Sequence, residues 1–170
     1  MKELDSYVKQ YFEQALLLMQ EAKVTFPIEA TANIYHHAGR ENINDVGALF
    51  LNVVNKEYCK SYVVMLPGQR YPNHYHKIKS ESYYILHNEL IVNINGEEKV
   101  VSEGEIIHVE RGDDHFFYTK NGVVFEELST MYVPNDSIYL EENVKKTTYA
   151  ERRTTLNSEE WKEYMREWKK

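Results

Sequence analysis

Along the first two dozen residues, apolar side chains recur at three- and four-residue intervals: Leu4, Tyr7, Val8, Tyr11, Phe12, Ala15, Leu16, Met19 and Ala22. That spacing places them on one face of a helix, with Lys2, Glu3, Lys9, Gln10, Glu13 and Gln20 mostly on the other. Pro27 fits the end of this segment, because its ring disfavours a helical conformation in the residue before it. Residues 28–48 are mixed in pattern and read as a short second helix and a loop.

From Leu49 the period changes from near 3.6 to 2. Segments 49–54, 60–66, 81–86, 89–95, 97–101, 105–109, 115–119 and 123–130 are rich in Val, Ile, Tyr and Phe. Pro67-Gly68, Asn95-Gly96, Glu103-Gly104, Gly112-Asp113 and Asn121-Gly122 separate them. Asn-Gly between alternating strands is a strong hairpin signal, since both residues tolerate positive φ. Short strands joined by tight turns, with no helices between them, predict an antiparallel barrel or jelly roll.

After Pro134 the chain turns polar, and 141–155 reads as an extended surface strap. Asn157 or Ser158 can cap a closing helix on which Trp161, Tyr164, Met165 and Trp168 form an aromatic stripe. Both terminal stripes read as packing surfaces, against the barrel or against a second subunit. The expected organisation is one domain over 1–170: an N-terminal helical extension (1–48), a barrel (49–140) and a C-terminal strap and helix (141–170).

Composition narrows the class. The hydrophobic fraction of 42% supplies a core, and 20 Lys+Arg against 27 Asp+Glu leave a net charge of −7. An acidic balance argues against a nucleic-acid or anionic-membrane partner. No stretch approaches the ~20 apolar residues of a membrane span. The single cysteine, Cys59, excludes an intramolecular disulfide scaffold. The start, Met1-Lys2-Glu3-Leu4-Asp5, lacks the pattern of a secretory signal, so a cytoplasmic location is expected.

The chemistry concentrates at His74-Tyr75-His76, where alternation puts two imidazoles on one side of an extended segment. Lys79 and Glu81 also share a face, and the change of parity after His76 requires a turn or bulge at Lys77-Ile78. His115 opens a later strand. His74, His76, Glu81 and His115 offer three nitrogens and one carboxylate oxygen, a set that suits manganese, iron(II), cobalt, nickel or zinc. Four protein ligands on an octahedral ion leave two adjacent positions for water or substrate oxygens. His87 shares the face of Glu81 but lies roughly 20 Å along an ideal strand, too far to join them.

Gly68 followed by His74-x-His76 and Glu81 resembles the first cupin motif, and Gly104, Gly112 and His115 match the second. Asn88, Glu110 and Thr119 depart from these motifs at turn positions, none of which is a ligand. The implied fold is an all-β cupin double-stranded β-helix (jelly roll) with flanking N-terminal and C-terminal helices. A narrower likeness covers roughly residues 45–140. Tyr58-Cys59-Lys60, Leu66-Pro67-Gly68-Gln69, Pro72-x-His74-x-His76 and the stretch Val124–Thr130 followed by Asp136-Ser137-Ile138-Tyr139 are similar to the bacterial D-lyxose ketol-isomerases.

That resemblance implies an aldose–ketose isomerase working through a cis-enediol on one divalent metal ion, manganese foremost, and a homodimeric assembly. It places Lys79 as the catalytic lysine and Glu127 as the partner base or acid. Burial and a nearby cation are expected to lower the lysine pKa. Strand parity leaves two arrangements open. A two-residue Asn121-Gly122 turn pairs Phe116 with Glu127 and sends Glu126 to the His115 face, whereas a three-residue bulged loop turns Glu127 inward; the family likeness favours Glu127. Tyr83 and Ile85 should line the barrel, and Gln69 and Arg70 are candidate contacts at its mouth. His108 reads as a structural strand residue, His36-His37 as loop or helix-end residues, and Cys59 as a small buried hydrophobe.

The expected reaction interconverts D-lyxose with D-xylulose or D-mannose with D-fructose. A non-catalytic sugar-binding or regulatory cupin of surface-glycan or nonulosonate biosynthesis, or a cupin dioxygenase, would use the same ligand set. Lys79 and Glu127 discriminate: an isomerase needs an acid–base pair beside the metal, a binder needs none, and a dioxygenase typically needs an apolar oxygen pocket.

Overall fold

The computed structural model describes residues 4–27, 29–157, 159, 160 and 162. Helix α1 (Ser6–Glu21) starts where the Asp5 carboxylate accepts from the Tyr7 amide at 3.0 Å. It stops well before Pro27: the Val24 amide reaches back to the Met19 carbonyl at 3.1 Å while Lys23 takes a φ of 55°. This is a Schellman-type end. Val8, Tyr11, Phe12, Ala15, Leu16 and Met19 are buried, whereas Tyr7 is 52% exposed and leaves the apolar stripe.

Among the described residues eleven strands follow and curl into one antiparallel sheet with two packed faces. They are β1 (Thr31–His36), β2 (Gly47–Asn55), β3 (Tyr58–Met65), β4 (Arg70–His76), β5 (Glu81–Ile94), β6 (Glu97–Ser102), β7 (Ile106–Val109), β8 (His115–Tyr118), β9 (Val123–Thr130), β10 (Ser137–Tyr139) and β11 (Arg153–Leu156). A single helical turn, α2 (Glu142–Lys145), lies between the last two. The pairing order is β10-β4-β8-β5-β9-β3-β2-β1-β11, with β6 and β7 also paired to β5. No helix among the described residues is long and apolar enough to cross a membrane.

β5 joins the two faces. The segments 81–86 and 89–95 are one continuous strand, in which Asn88 adopts a φ of 61°. Its first half pairs with β9 and β7, and its second half with β6 and β8. Asn95 and Gly96, at φ 53° and 88°, then close the expected β5–β6 hairpin.

Two apolar clusters result. α1 covers the outer face of the sheet through Ala32, Ile34, Leu49, Leu51, Val64 and Val124. Val63, Met65, Tyr71, Tyr83, Ile85, Val92, Phe117 and Phe125 fill the space between the two faces.

Three expectations are corrected. Residues 28–48 hold β1 and a short 3-10 turn at Arg40–Asn42, not a second α-helix with a loop. The polar Thr31 and Asn33 on one side of β1 disguised its alternation. The 141–155 strap includes α2 and leads into β11, which pairs with β1. The sheet therefore extends beyond 49–140 at both ends. Asn157 Oδ1 accepts the amides of Glu159 and Glu160 at 3.0 and 3.1 Å, so Asn157 caps the closing segment. The stripe Trp161, Tyr164, Met165 and Trp168 lies outside the described residues.

Candidate functional site

β4 presents His74 and His76 on the inner face, and His115, at the start of β8, stands directly opposite His74. Glu81 opens β5 beside them. All four are buried, and their ligand atoms lie within 4.8 Å of one another. His74 Nδ1 donates to the Pro72 carbonyl at 2.9 Å and His115 Nδ1 to the Asp113 carbonyl at 3.0 Å. Each bond fixes the tautomer and leaves Nε2 for a metal. The Nε2 atoms of His76 and His115 stand 3.3 and 3.5 Å from the Glu81 carboxylate oxygens.

Those two nitrogens are buried without a hydrogen-bond partner. Orphaned buried polar atoms carry a desolvation cost of a few kcal/mol in the absence of a ligand. Burial, then His115 and His76, hold the His74 pKa well below the ordinary histidine value, so the imidazole stays in its neutral ligand form. The residues fit a divalent cation with nitrogen and oxygen ligands.

Asp136 solves the parity problem of the β4–β5 connection. Its Oδ1 accepts the amides of Lys77 and Ile78 at 3.0 and 3.1 Å, and its Oδ2 that of Lys79 at 3.0 Å. Oδ2 also faces His76 Nδ1 at 3.7 Å. One buried carboxylate thus shapes the loop that carries Lys79 and lies beside His76. In the sequence Asp136 stands only within the Asp136-Ser137-Ile138-Tyr139 likeness, with no role of its own.

The pinned loop sends Lys79 inward. Its Nζ contacts Glu81 Oε1 and lies 3.3 Å from Glu127 Oε1. Tyr83 donates its hydroxyl to Glu81 Oε2. Burial works against the Lys79 charge, but Glu81 and Glu127 outweigh it and raise its pKa above the lysine range, opposite to the expected direction. A cation held by Glu81 would offset that carboxylate's charge. Burial and then the Glu81 charge push the Glu127 carboxyl up to about 7, against the pull of Lys79. Burial also opposes ionisation of Glu81, yet Lys79 and His76 keep it well below the carboxylate range.

Glu127 faces inward and Glu126 outward, where Glu126 pairs with Lys60 at 2.8 Å. Neither proposed Asn121-Gly122 hairpin sets this, because β8 and β9 are not partners. β9 runs between β3 and β5, and the register Tyr83↔Glu127 decides the face.

Other candidates fall elsewhere. Gln69 is fully buried and bonds to the Leu66 amide and the Ile43 carbonyl, and Arg70 pairs with Glu141, so neither is a free contact at the mouth. Cys59 is half-buried and donates to Asn55 Oδ1 at 3.4 Å instead of packing as a core hydrophobe. His108 bonds to Ser82 Oγ at 2.8 Å on the outer face, and His87 lies 3.8 Å from Glu103. His36 ends β1, and His37 is a buried group bonded to the Tyr139 hydroxyl at 3.0 Å. Burial first, then the neighbouring Arg152, lowers the His37 pKa to about 3. Tyr139 in turn stacks on His74 with ring centroids 5.4 Å apart.

A cavity of about 710 Å³ opens over the cluster, walled by Lys79, Glu127, Tyr83 and Ser129 and extending along the inner faces of β1, β2 and β3. A curled antiparallel jelly roll enclosing three histidines and a glutamate matches the cupin fold. The family model described as "Cupin domain" matches residues 61–125, and the protein is a cupin-fold protein.

Among solved structures, the L-ribose isomerase of Cellulomonas parahominis with L-psicose aligns with a TM-score of 0.68 at 14% identity, over 82% of this chain and 93% of that one. The L-ribose isomerase of Geodermatophilus obscurus aligns at 0.67 and 14%, with the same coverage. At these identities the likeness is one of fold. The curated tetracenomycin polyketide synthase protein TcmJ of Streptomyces glaucescens is 29% identical over 62 residues, 36% of this chain. The match spans 42% of that protein's length.

Proposed function

We propose that this protein is a metal-dependent aldose–ketose isomerase acting on a free sugar, with D-lyxose/D-xylulose or D-mannose/D-fructose as the pair. The observation that carries the reading is the Lys79–Glu127 pair, one ammonium and one carboxylate 3.3 Å apart, set beside Glu81 in the cavity. The resemblance of the surrounding motifs to D-lyxose ketol-isomerases supports it, as do fold neighbours that are themselves sugar isomerases.

His74, His76, Glu81 and His115 would hold the cation, manganese foremost, with zinc, iron, cobalt or nickel as its rivals. When bound, it supplies Lewis acidity to the oxygens on the two reacting carbons. Glu127 takes the proton from C2 of the aldose and returns it to C1 of the cis-enediol, while the Lys79 ammonium moves a proton between the two oxygens. Tyr83 keeps Glu81 in place through its hydroxyl. A charged wall beside the ligand set favours this chemistry over an oxygen-activating pocket. A second copy completes a homodimer in this reading, which light scattering measures directly.

The test is an exchange experiment. The manganese-loaded protein is incubated in heavy water with D-lyxose, D-mannose or D-xylulose, and the C1 and C2 signals are followed by NMR. Ketose formation with solvent deuterium at the transferred position is the expected result. Bound metal without turnover on any of these sugars overturns the isomerase and leaves a binding cupin.

A further inference from the structure

A row of side chains leads across the inner face of the sheet away from Glu127. Backbone register sets Ser61 of β3 directly opposite Glu127, and Asn52 of β2 directly opposite Ser61. Adjacent strands lie about 4.8 Å apart, so the two residues step outward from the acid–base pair over the reach of a sugar chain. Both line the cavity. In the other direction along β3 the same face continues as Val63 and Met65, packed into the inner core. The change from apolar to polar at Ser61 marks where core packing ends, because a polar group on an inward face requires partners.

The Ser61–Asn52 pair has a defined polarity. Ser61 Oγ donates to Asn52 Oδ1 at 2.7 Å, which uses the hydroxyl hydrogen and the amide oxygen. What remains toward the cavity is an acceptor, Ser61 Oγ, beside a donor, Asn52 Nδ2. A register shift follows at once, between Asn52 and Val54. Bulges of this kind re-aim side chains next to binding sites. On the neighbouring β9, Ser129 Oγ is buried without a partner and lines the same cavity.

We propose that Ser61 and Asn52 form a diol-reading subsite that decides which sugar the cavity accepts. Of two vicinal hydroxyls beyond the reacting carbons, one donates to Ser61 Oγ and the other accepts from Asn52 Nδ2. Inverting either carbon carries its hydroxyl away from its partner and leaves a protein group unpaired, which is how polar sites reject epimers. The proposal rests on the isomerase reading only for the location of the reacting carbons.

The test uses the manganese-loaded protein and three variants, Ser61→Ala, Asn52→Leu and Asn52→Asp. Calorimetry measures binding of xylitol, ribitol and D-arabitol, and turnover is followed with D-lyxose and D-mannose. Ser61→Ala and Asn52→Leu are expected to raise Kd and KM by roughly threefold to tenfold, the effect of one hydrogen bond to an uncharged partner, with kcat retained. The preference among the three pentitols narrows. Asn52→Asp keeps the oxygen that Ser61 bonds but places a second oxygen where the amide nitrogen stood, so it weakens binding with an unchanged thermal midpoint. Unaltered Kd values and pentitol ranking in all three variants overturn the subsite, as does a wild-type protein that binds none of these polyols and sugars. Pentitol binding that the variants weaken, without turnover by the wild type, supports the subsite and overturns the isomerase instead.

Discussion

The Lys79 ammonium and the Glu127 carboxylate lie 3.3 Å apart although 48 residues separate them in the chain. Neither is a ligand in the histidine cluster, yet both border Glu81. Lys79→Met and Glu127→Gln should each cut sugar turnover by about 10²–10⁴, the range of a lost general acid or base. Metal content measured by mass spectrometry should match the wild type in Glu127→Gln. Turnover retained within a few-fold in both variants would remove the pair from the reaction.

Bound manganese should stabilise the fold, because the ligand set forms only in the folded chain. At a free ion concentration 100 times Kd the gain is about 2.7 kcal/mol, seen as a raised thermal midpoint that a chelator reverses. His76→Ala and His115→Ala should lose both the metal and this increment. An identical midpoint with and without the ion argues against a site at these residues.

Asp136→Ala removes the acceptor for three amides and the oxygen facing His76. Metal affinity should fall, because the loop that follows His76 loses its anchor and the negative charge beside the imidazole is removed. Lys79 loses its fixed position at the same time, so turnover should fall further than metal loading explains. Titration with manganese followed by an assay at saturation separates the two effects.

Phe12 is fully buried between α1 and the outer face of the sheet. Phe12→Ala should cost about 3–5 kcal/mol in denaturant unfolding, from lost burial and the cavity left behind. The His74, His76, Glu81 and His115 cluster lies on the other side of the sheet, so manganese affinity of the folded fraction should change little.

Arg70 donates to both oxygens of Glu141, at 2.7 and 2.9 Å, and the Asn73 amide adds a third bond at 3.0 Å. The Arg70 hydrogen bonds hold the Glu141 carboxyl below its ordinary value of 4.5. A depressed carboxylate stabilises the fold above its unfolded pKa and loses that contribution as pH falls through the folded one. Wild-type stability should therefore fall as pH drops below about 4.5, and Glu141→Gln should be less stable at neutral pH and show a shallower fall in acid unfolding. Half-exposure of the pair limits the effect to about 1 kcal/mol.

Local rules made part of this molecule legible. The three- and four-residue spacing of Val8, Tyr11, Phe12, Ala15 and Met19 marks the buried face of α1, since any helix carries that period. His74 and His76 share a side because strand side chains alternate, and Asn95-Gly96 closes a hairpin because both residues accept positive φ. β1 and β11 were less legible: they pair across 118 to 124 positions in the chain, as in Tyr35↔Arg153 and Ala32↔Leu156, and their cavity faces are polar. Polar inward positions weaken the alternation that identifies a strand.

The sequence by itself determined the elements that rest on neighbours in the chain: the amphipathic helix, the run of short strands, and the His-x-His pair followed by a glutamate. Tertiary structure alone decided which strands meet. Asn121-Gly122 looks the same whether it closes a hairpin or, as here, carries the chain from β8 to a β9 that pairs with β3 and β5. The inward turn of Glu127, the pairing of Ser61 with Asn52 and the hold of Asp136 on the Lys79 loop all follow from those distant pairings. A period of two states that side chains alternate, and only the partner strand states which of the two faces is the inside.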